Sequence, residues 1–280
     1  MKIHHLNCAT MCPYGDRLLS RAGRATDQAE LICHCLLIET SQGLVLVDSG
    51  LGLSDVEHPV SRLGREFITF VRPVLSADET AARQVEDLGF SRDDVRHIVL
   101  THLDVDHAGG LPDFPKATVH VHADEHDAAI HPRVRLEKLR YRPLQWAHDP
   151  TFRLYRPAGE RWFGFDAVTA LEGLPPELLL VPLIGHSRGH SGVAVDTGAG
   201  WLLHAGDAYF HRGELDPDRR RCPPLLDIFQ RIVEIDSVAR RKNQQRLRDL
   251  HRENGADVRV FSAHDPVELD RCRDRMGVAE

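Results

Sequence analysis

The sequence predicts an α+β protein built from two β-sheets covered by helices. Two observations carry that expectation: short runs rich in β-branched and apolar residues recur along the chain, and stretches with helical spacing are mixed among them. A third concerns size. At 280 residues the chain is long enough to bury one substantial core and lies near the length at which chains divide, so we expect one domain, residues 1–280, with an insertion at about 131–165.

The chain opens on a strand-like stretch, MKIHHLNC, with no charged segment and apolar run ahead of it. No apolar run approaches membrane-spanning length, so a soluble cytoplasmic protein without a membrane partner is expected. LICHCLLIE (31–39) and LVLVDSG (44–50) flank the turn-like TSQG and read as a hairpin. Residues 54–79 lack a clean period and hold two prolines, which predicts a loop with at most a short helix. In SADETAARQVEDLGF, an acidic start precedes Ala81, Val85 and Leu88 on one face and a stop at Gly89, the pattern of an amphipathic helix.

VRHIVL (95–100) and ATVHVHA (117–123) read as strands, and DEHDAAI as a helix. Residues 131–165 are basic, aromatic and proline-bearing without a stable period, which fits either a solvated insertion or a lid or substrate wall. Trp146, His148, Tyr155 and Trp162 would then line a pocket or form the insertion's own small core. Strand signals return at ELLLVPL, GVAVDT and WLLHAG. A helix is expected from about Leu225 to Glu253 with Ile228, Ile232, Ile235, Val238 and Ala239 on an apolar stripe, a face that offers a homo-oligomer interface. DVRVFSAH is a last strand, and PVELDRCRD a helix with Pro in its first turn.

The formal net charge of −7, with basic residues only in local runs, argues against nucleic acid as a partner and leaves a small-molecule substrate. The six cysteines fit reduced thiols better than disulfides, and the spacings of Cys8, Cys12, Cys33 and Cys35 differ from structural-zinc patterns. Of the eighteen histidines, His5, His58, His97, His126, His131 and His251 are expected at the surface. Others recur beside Asp and Gly at strand ends.

The densest of these places is THLDVDHAGG (101–110), which sets His102, Asp104, Asp106 and His107 within six residues after a strand. Three later stretches have the same form: LLLVPLIGHSRGH, WLLHAGDAYF and VRVFSAHDP bring His186, Asp207 and His264. The order THLDVDH, GHSRGH, GDA, SAHD resembles the metallo-β-lactamase superfamily, with its His-x-His-x-Asp-His, Gly-His-(Ser/Thr), Gly-Asp and late His, over about Ile32 to Pro266. VDSG (47–50) also matches an early segment of that fold.

The resemblance implies a four-layer αββα sandwich and a site for two divalent metal ions, zinc first. Metal one would take His102, Asp104 and His186, metal two Asp106, His107 and His264, with Asp207 bridging. It implies a metal-bridging hydroxide as nucleophile, ligated and oriented by Asp106. Asp104 stands where most members have His. A harder, anionic ligand there tilts selection toward manganese or iron, and an Asp outside the ligand shell or a mononuclear site are the other arrangements open. His190 reads as a supporting residue, His204 as packed in a strand, and Tyr209, two residues past Asp207, as either a core tyrosine or an aid to a developing oxyanion.

The function implied is a metal-dependent hydrolase of a small ester, lactone or thioester. Two other classes stand beside it: a diiron, oxygen-reactive enzyme, favoured by the carboxylate at 104, and a metal-bound binding protein without catalysis. Against the last, all six remaining ligand positions are kept although the fold does not need them.

Overall fold

The structure, a computed structural model, describes residues 1–21, 23–156 and 158–274. Strand β1 (Lys2–Met11) is followed by a single-turn helix, α1 (Asp16–Leu19), and pairs antiparallel with β2 (Leu31–Thr40). β3 (Gly43–Val47) closes the predicted hairpin, with Thr40 opposite Gly43. Residues 54–79 are more helical than the sequence reading allowed. They hold α2 (Leu53–Glu57), α3 (Pro59–Arg62) and α4 (Arg65–Val71), because Pro59 and Gly64 divide them into pieces too short for a helical period to register.

Helix α5 (Ala81–Asp87) starts at Thr80, whose hydroxyl accepts from Arg83 N, and leads into β4 (Val95–Val99). After α6 (Val105–Ala108) come β5 (Thr118–His122), α7 (Ala123–Ile130), α8 (Arg135–Arg140) and β6 (Thr151–Tyr155). The first sheet runs β1-β2-β3-β4-β5-β6, parallel from β3 onward. The second is made of β7 (Glu160–Trp162), β8 (Phe165–Ala170), β9 (Leu178–Pro182), β10 (Ser191–Asp196), β11 (Trp201–His204) and β12 (Val258–Phe261), in the order β12-β11-β10-β9-β8-β7. Helices α9 (Pro224–Val233) and α10 (Ser237–Asn254) connect β11 to β12, and α11 (Pro266–Asp274) follows.

The two-residue period of the strands sorts the core into layers. Leu36, Ile38, Val45 and Val47 pack against Leu178, Leu180, Val193 and Val195 between the sheets. Leu37, Leu46 and Ile98 point the other way onto Ala82 and Val85 of α5 and Ala128 of α7, and Ala194 and Leu203 onto Leu247 and Leu250 of α10. Helix, sheet, sheet, helix is the αββα order. β2 is buried on both faces, which is why it reads as an unbroken apolar run rather than an alternating one.

Residues 131–165 do not form a separate insertion. Their middle, β6, is the edge strand of the first sheet and their end, β7, the edge of the second, so this stretch carries the chain from one sheet to the other. The aromatics expected to share a pocket or small core go to three places: Trp146 to the outer face of the first sheet, Tyr155 to the layer between the sheets, and Trp162 to the outer face of the second.

The expected long helix is two. Asp236 caps α10 by accepting from Val238 N and Ala239 N, both at 2.9 Å, and ends the run begun by α9. The stripe read as apolar stays at the surface, with Ile232 of α9 66% and Val238 of α10 72% exposed, while α10 buries Asn243, Gln244, Leu247 and Leu250. His5, expected at the surface, is buried with its Nδ1 2.8 Å from His34 Nε2, and burial and the nearby His204 hold its pKa down to about 4. His97 and His126 are half-buried. Among the described residues no helix is long and apolar enough to cross a membrane.

The short helices are tied to the loop after α6 by a buried ion pair. Arg62 Nε donates to Asp55 Oδ1 at 2.6 Å, and the same guanidinium reaches the carbonyls of Leu144 and Gly109 and the amide of Gln145. A side chain at Gly52 would meet Gly109 O at 2.4 Å, so this junction admits only glycine there. Replacing Asp55 by Ala leaves Arg62 as an uncompensated buried cation and should cost about 3–5 kcal/mol, read as a fall in the urea midpoint. A loss below about 1 kcal/mol would contradict this.

Candidate metal centre

The C-terminal ends of β4, β9, β11 and β12 meet at one rim of the sandwich, and each runs into a loop that carries ligand-type residues. The loop after β4 is fastened first. Asp48, held at φ +56°, accepts from Thr101 N and Thr101 Oγ1, each at 2.8 Å, and Thr101 O accepts from Ser191 N at 2.9 Å, joining the two sheets. The loop after β11 turns at Gly206, φ +52°, where a Cβ would come within 2.7 Å of His190 Nε2. Asp207 N then donates to His190 Nε2 at 2.9 Å, while His190 Nδ1 donates to Leu183 O. His190 therefore acts as the sequence reading expected, as a support.

Six predicted side chains converge around the seventh, Asp207. Its Oδ2 lies 3.7 Å from His102 Nε2 and 3.5 Å from His186 Nε2, and its Oδ1 lies 3.2 Å from His107 Nε2 and 3.0 Å from His264 Nε2. Asp104 Oδ2 joins the first pair, 3.4 Å from His102 Nε2 and 3.2 Å from His186 Nε2. Asp106 Oδ2 joins the second, 3.9 Å from His107 Nε2 and 3.7 Å from His264 Nε2. Ligand atoms about 2.0–2.1 Å from a tetrahedral zinc stand about 3.3 Å apart, so both groups have the spacing of a metal's ligand shell.

The chemistry of the donor set fits cations as well. His102 Nε2, His107 Nε2 and Asp207 Oδ1 are buried without a hydrogen-bond partner, at a cost that a cation would remove. On the far side of two rings, His107 Nδ1 donates to Asp48 Oδ2 at 2.8 Å and His264 Nδ1 to Ile32 O at 2.7 Å, which fixes the tautomer that leaves Nε2 as an unprotonated donor facing the cluster. From the side chains alone, burial would raise Asp207, but His264, His107, His102 and His186 hold it well below the usual carboxylate range. Burial likewise works against a charged His107, yet Asp207, Asp48 and Asp106 raise it well above the ordinary imidazole value. His186 is pushed down to about 4 by burial and by Arg140.

Tyr209 is not brought to this cluster. It is fully buried in the core outside the second sheet, and its hydroxyl donates to the Glu268 carboxylate at 3.0 Å, so the oxyanion role is corrected to a core one. His204 is packed as read, its Nε2 donating to His34 O. Four neighbours of the cluster were not placed at it from the sequence. Asp48 lies in the VDSG stretch, and Phe210 stacks on the His264 ring at 5.0 Å. Cys33 Sγ is 4.0 Å from Asp106 Oδ2, and Arg140 Nε is 3.5 Å from Asp104 Oδ1. No spacing signal marks the last two.

A cavity of about 520 Å³ opens onto the cluster. Asp104, Asp106, His186, Asp207 and His264 form its polar end, and apolar side chains such as Phe67, Leu139, Leu225 and Phe229 line most of the rest.

Residues 29–259 match the family model described as the metallo-beta-lactamase superfamily. A protein of Mycobacterium tuberculosis named "Probable metallo-hydrolase" is 45% identical over 274 residues, covering 98% of this chain and 83% of that one. An N-acyl homoserine lactonase of Bacillus thuringiensis is 31% identical over 97 residues, 35% of this chain and 39% of the lactonase. Among solved structures, an N-acyl homoserine lactone hydrolase with the product N-hexanoyl-L-homoserine at its catalytic metal centre has a TM-score of 0.72 at 20% identity, covering 97% of this chain and 96% of that one. AidC, a dizinc quorum-quenching lactonase, has a TM-score of 0.61 at 16% identity, covering 94% and 87%. At these identities the two structures show a shared fold.

The burial of Glu268 makes a prediction about pH. Burial, with the Asp265 carboxylate beside it, pushes Glu268 up to about 8, against an unfolded value of about 4.3. Between those values the folded chain binds more protons than the unfolded one, so stability from this group falls as pH rises from about 4.3 to about 8. Glu268→Gln should flatten that fall, measured as thermal midpoints from pH 5 to 8. An unchanged slope would contradict the assignment.

Proposed function

The chain belongs to the metallo-beta-lactamase superfamily and is a metallo-hydrolase, and we propose that it cleaves an ester, lactone or thioester bond of a small molecule bearing an apolar arm. The observation that carries this reading is the division of Asp207, one oxygen toward His102 and His186 and the other toward His107 and His264, at the polar end of an apolar cavity. We assign two divalent cations to the site, one to His102, Asp104 and His186, the other to Asp106, His107 and His264, with Asp207 between them. When bound, such cations polarise a carbonyl and supply an attacking water that is acidic at neutral pH.

The chain's own residues do the rest. Asp106 faces the cavity and accepts a hydrogen bond from the attacking water, which orients it toward the scissile carbonyl. The Asp48 carboxylate keeps the His107 ring in place, and Phe210 holds that of His264. Leu136 and Leu139 of α8 wall the cavity, so part of the 131–165 stretch shapes which acyl or alcohol group enters. Lactone is among the proposed bonds because the lactonases matched over part of the chain act on one. Zinc suits the four imidazoles, and the three carboxylates admit manganese or iron.

The test is turnover of chromogenic esters, lactones and thioesters by the metal-loaded protein. Rates should vanish with a chelator and fall by about 10²-fold or more in Asp106→Asn. Metal-loaded protein that turns over none of the three classes would contradict the proposed substrate class.

A further inference from the structure

Position 104 is where this chain departs from the usual family pattern, and the structure gives Asp104 a neighbour that the motif does not contain. Arg140, the last residue of α8, sets Nε 3.5 Å from Asp104 Oδ1, with its side chain only 5% exposed. Its Nη2 donates to the carbonyl of Val233 at the end of α9, so two helices hold the guanidinium in place. The oxygens of Asp104 are thereby divided. Oδ2 faces His102 and His186, and Oδ1 faces Arg140.

A neutral histidine at this position would add no charge to the cluster, whereas an aspartate adds one negative charge to those of Asp106 and Asp207. A buried guanidinium beside it adds one positive charge, in surroundings where unit charges a few Å apart interact several times more strongly than in water. We propose that Arg140 is a positioning residue that makes an aspartate serviceable at position 104: the two form a neutral pair that stands in for a neutral histidine and leaves Oδ2 to the cation shared with His102 and His186. The proposal rests on reading those three residues as one ligand group.

The pair must then behave as a unit. Asp104→His alone strips Arg140 of its counter-charge and leaves a buried cation facing a bound one. Asp104→His together with Arg140→Met restores neutrality. The experiment measures zinc affinity of the full chain by competition with a chelator, for the parent, Asp104→His, Arg140→Met and the double substitution.

Asp104→His is expected to weaken one of two zinc ions by at least about tenfold when Arg140 is present and by less than about threefold in the Arg140→Met background, a coupling of the size found within one salt-bridge network. Equal fold-changes in the two backgrounds would overturn the proposal, because a merely structural Arg140 gives additive losses. If Asp104→His does not fold, a double substitution that folds and binds two zinc ions supports the pairing, and one that stays unfolded overturns it. A parent protein that binds fewer than two zinc ions overturns the ligand reading itself, and with it the role given to Arg140.

Discussion

A buried carboxylate with imidazoles on both of its oxygens is the constraint around which this rim of the molecule is arranged. Asp207 is 4% exposed and lies within 3.0–3.7 Å of ring nitrogens from His102, His107, His186 and His264. Those rings come from three different loops, so the carboxylate can be satisfied only if strand ends of both sheets reach the same place. The backbone is built to deliver that. Gly206 takes a left-handed conformation, His190 accepts from Asp207 N, and Ala263 N donates to Gly206 O at 3.1 Å.

Burying so many ionisable groups is costly unless each finds a counter-charge or a hydrogen bond. The outward-facing nitrogens of His107 and His264 have hydrogen bonds, to Asp48 and to the carbonyl of Ile32, while the inward-facing Nε2 of His102 and of His107 and Asp207 Oδ1 have none. That asymmetry separates a site prepared for cations from a polar network that closes on itself. A similar economy holds beyond the ligands. Glu125 accepts from Leu103 N, Tyr141 Oη, Ser187 Oγ and Gly189 N, tying the β4 loop to the loop that carries His186.

Much of this was legible in the sequence because the candidate ligands are local to short motifs at strand ends, and a strand followed by His, Asp and Gly is a pattern that one chain displays by itself. The pairing of β2 with β3 was legible for the same reason, as a hairpin across a short turn. What stayed hidden depends on partners distant in sequence. Arg140 meets Asp104 only because α8 folds back over the cavity, and Tyr209 meets Glu268 across 59 residues. Residues 151–155 have no clean strand period because an edge strand leaves Arg153 and Leu154 exposed, and the 225–253 stretch gave one helical stripe where Asp236 makes two helices. His5 reads as polar and exposed until His34 is seen beside it.

Metal content per chain, measured by elemental mass spectrometry on protein expressed without added metal, bears most directly on the division of Asp207 between two ligand groups. The account predicts close to two equivalents of divalent metal. One equivalent, or none, would contradict it.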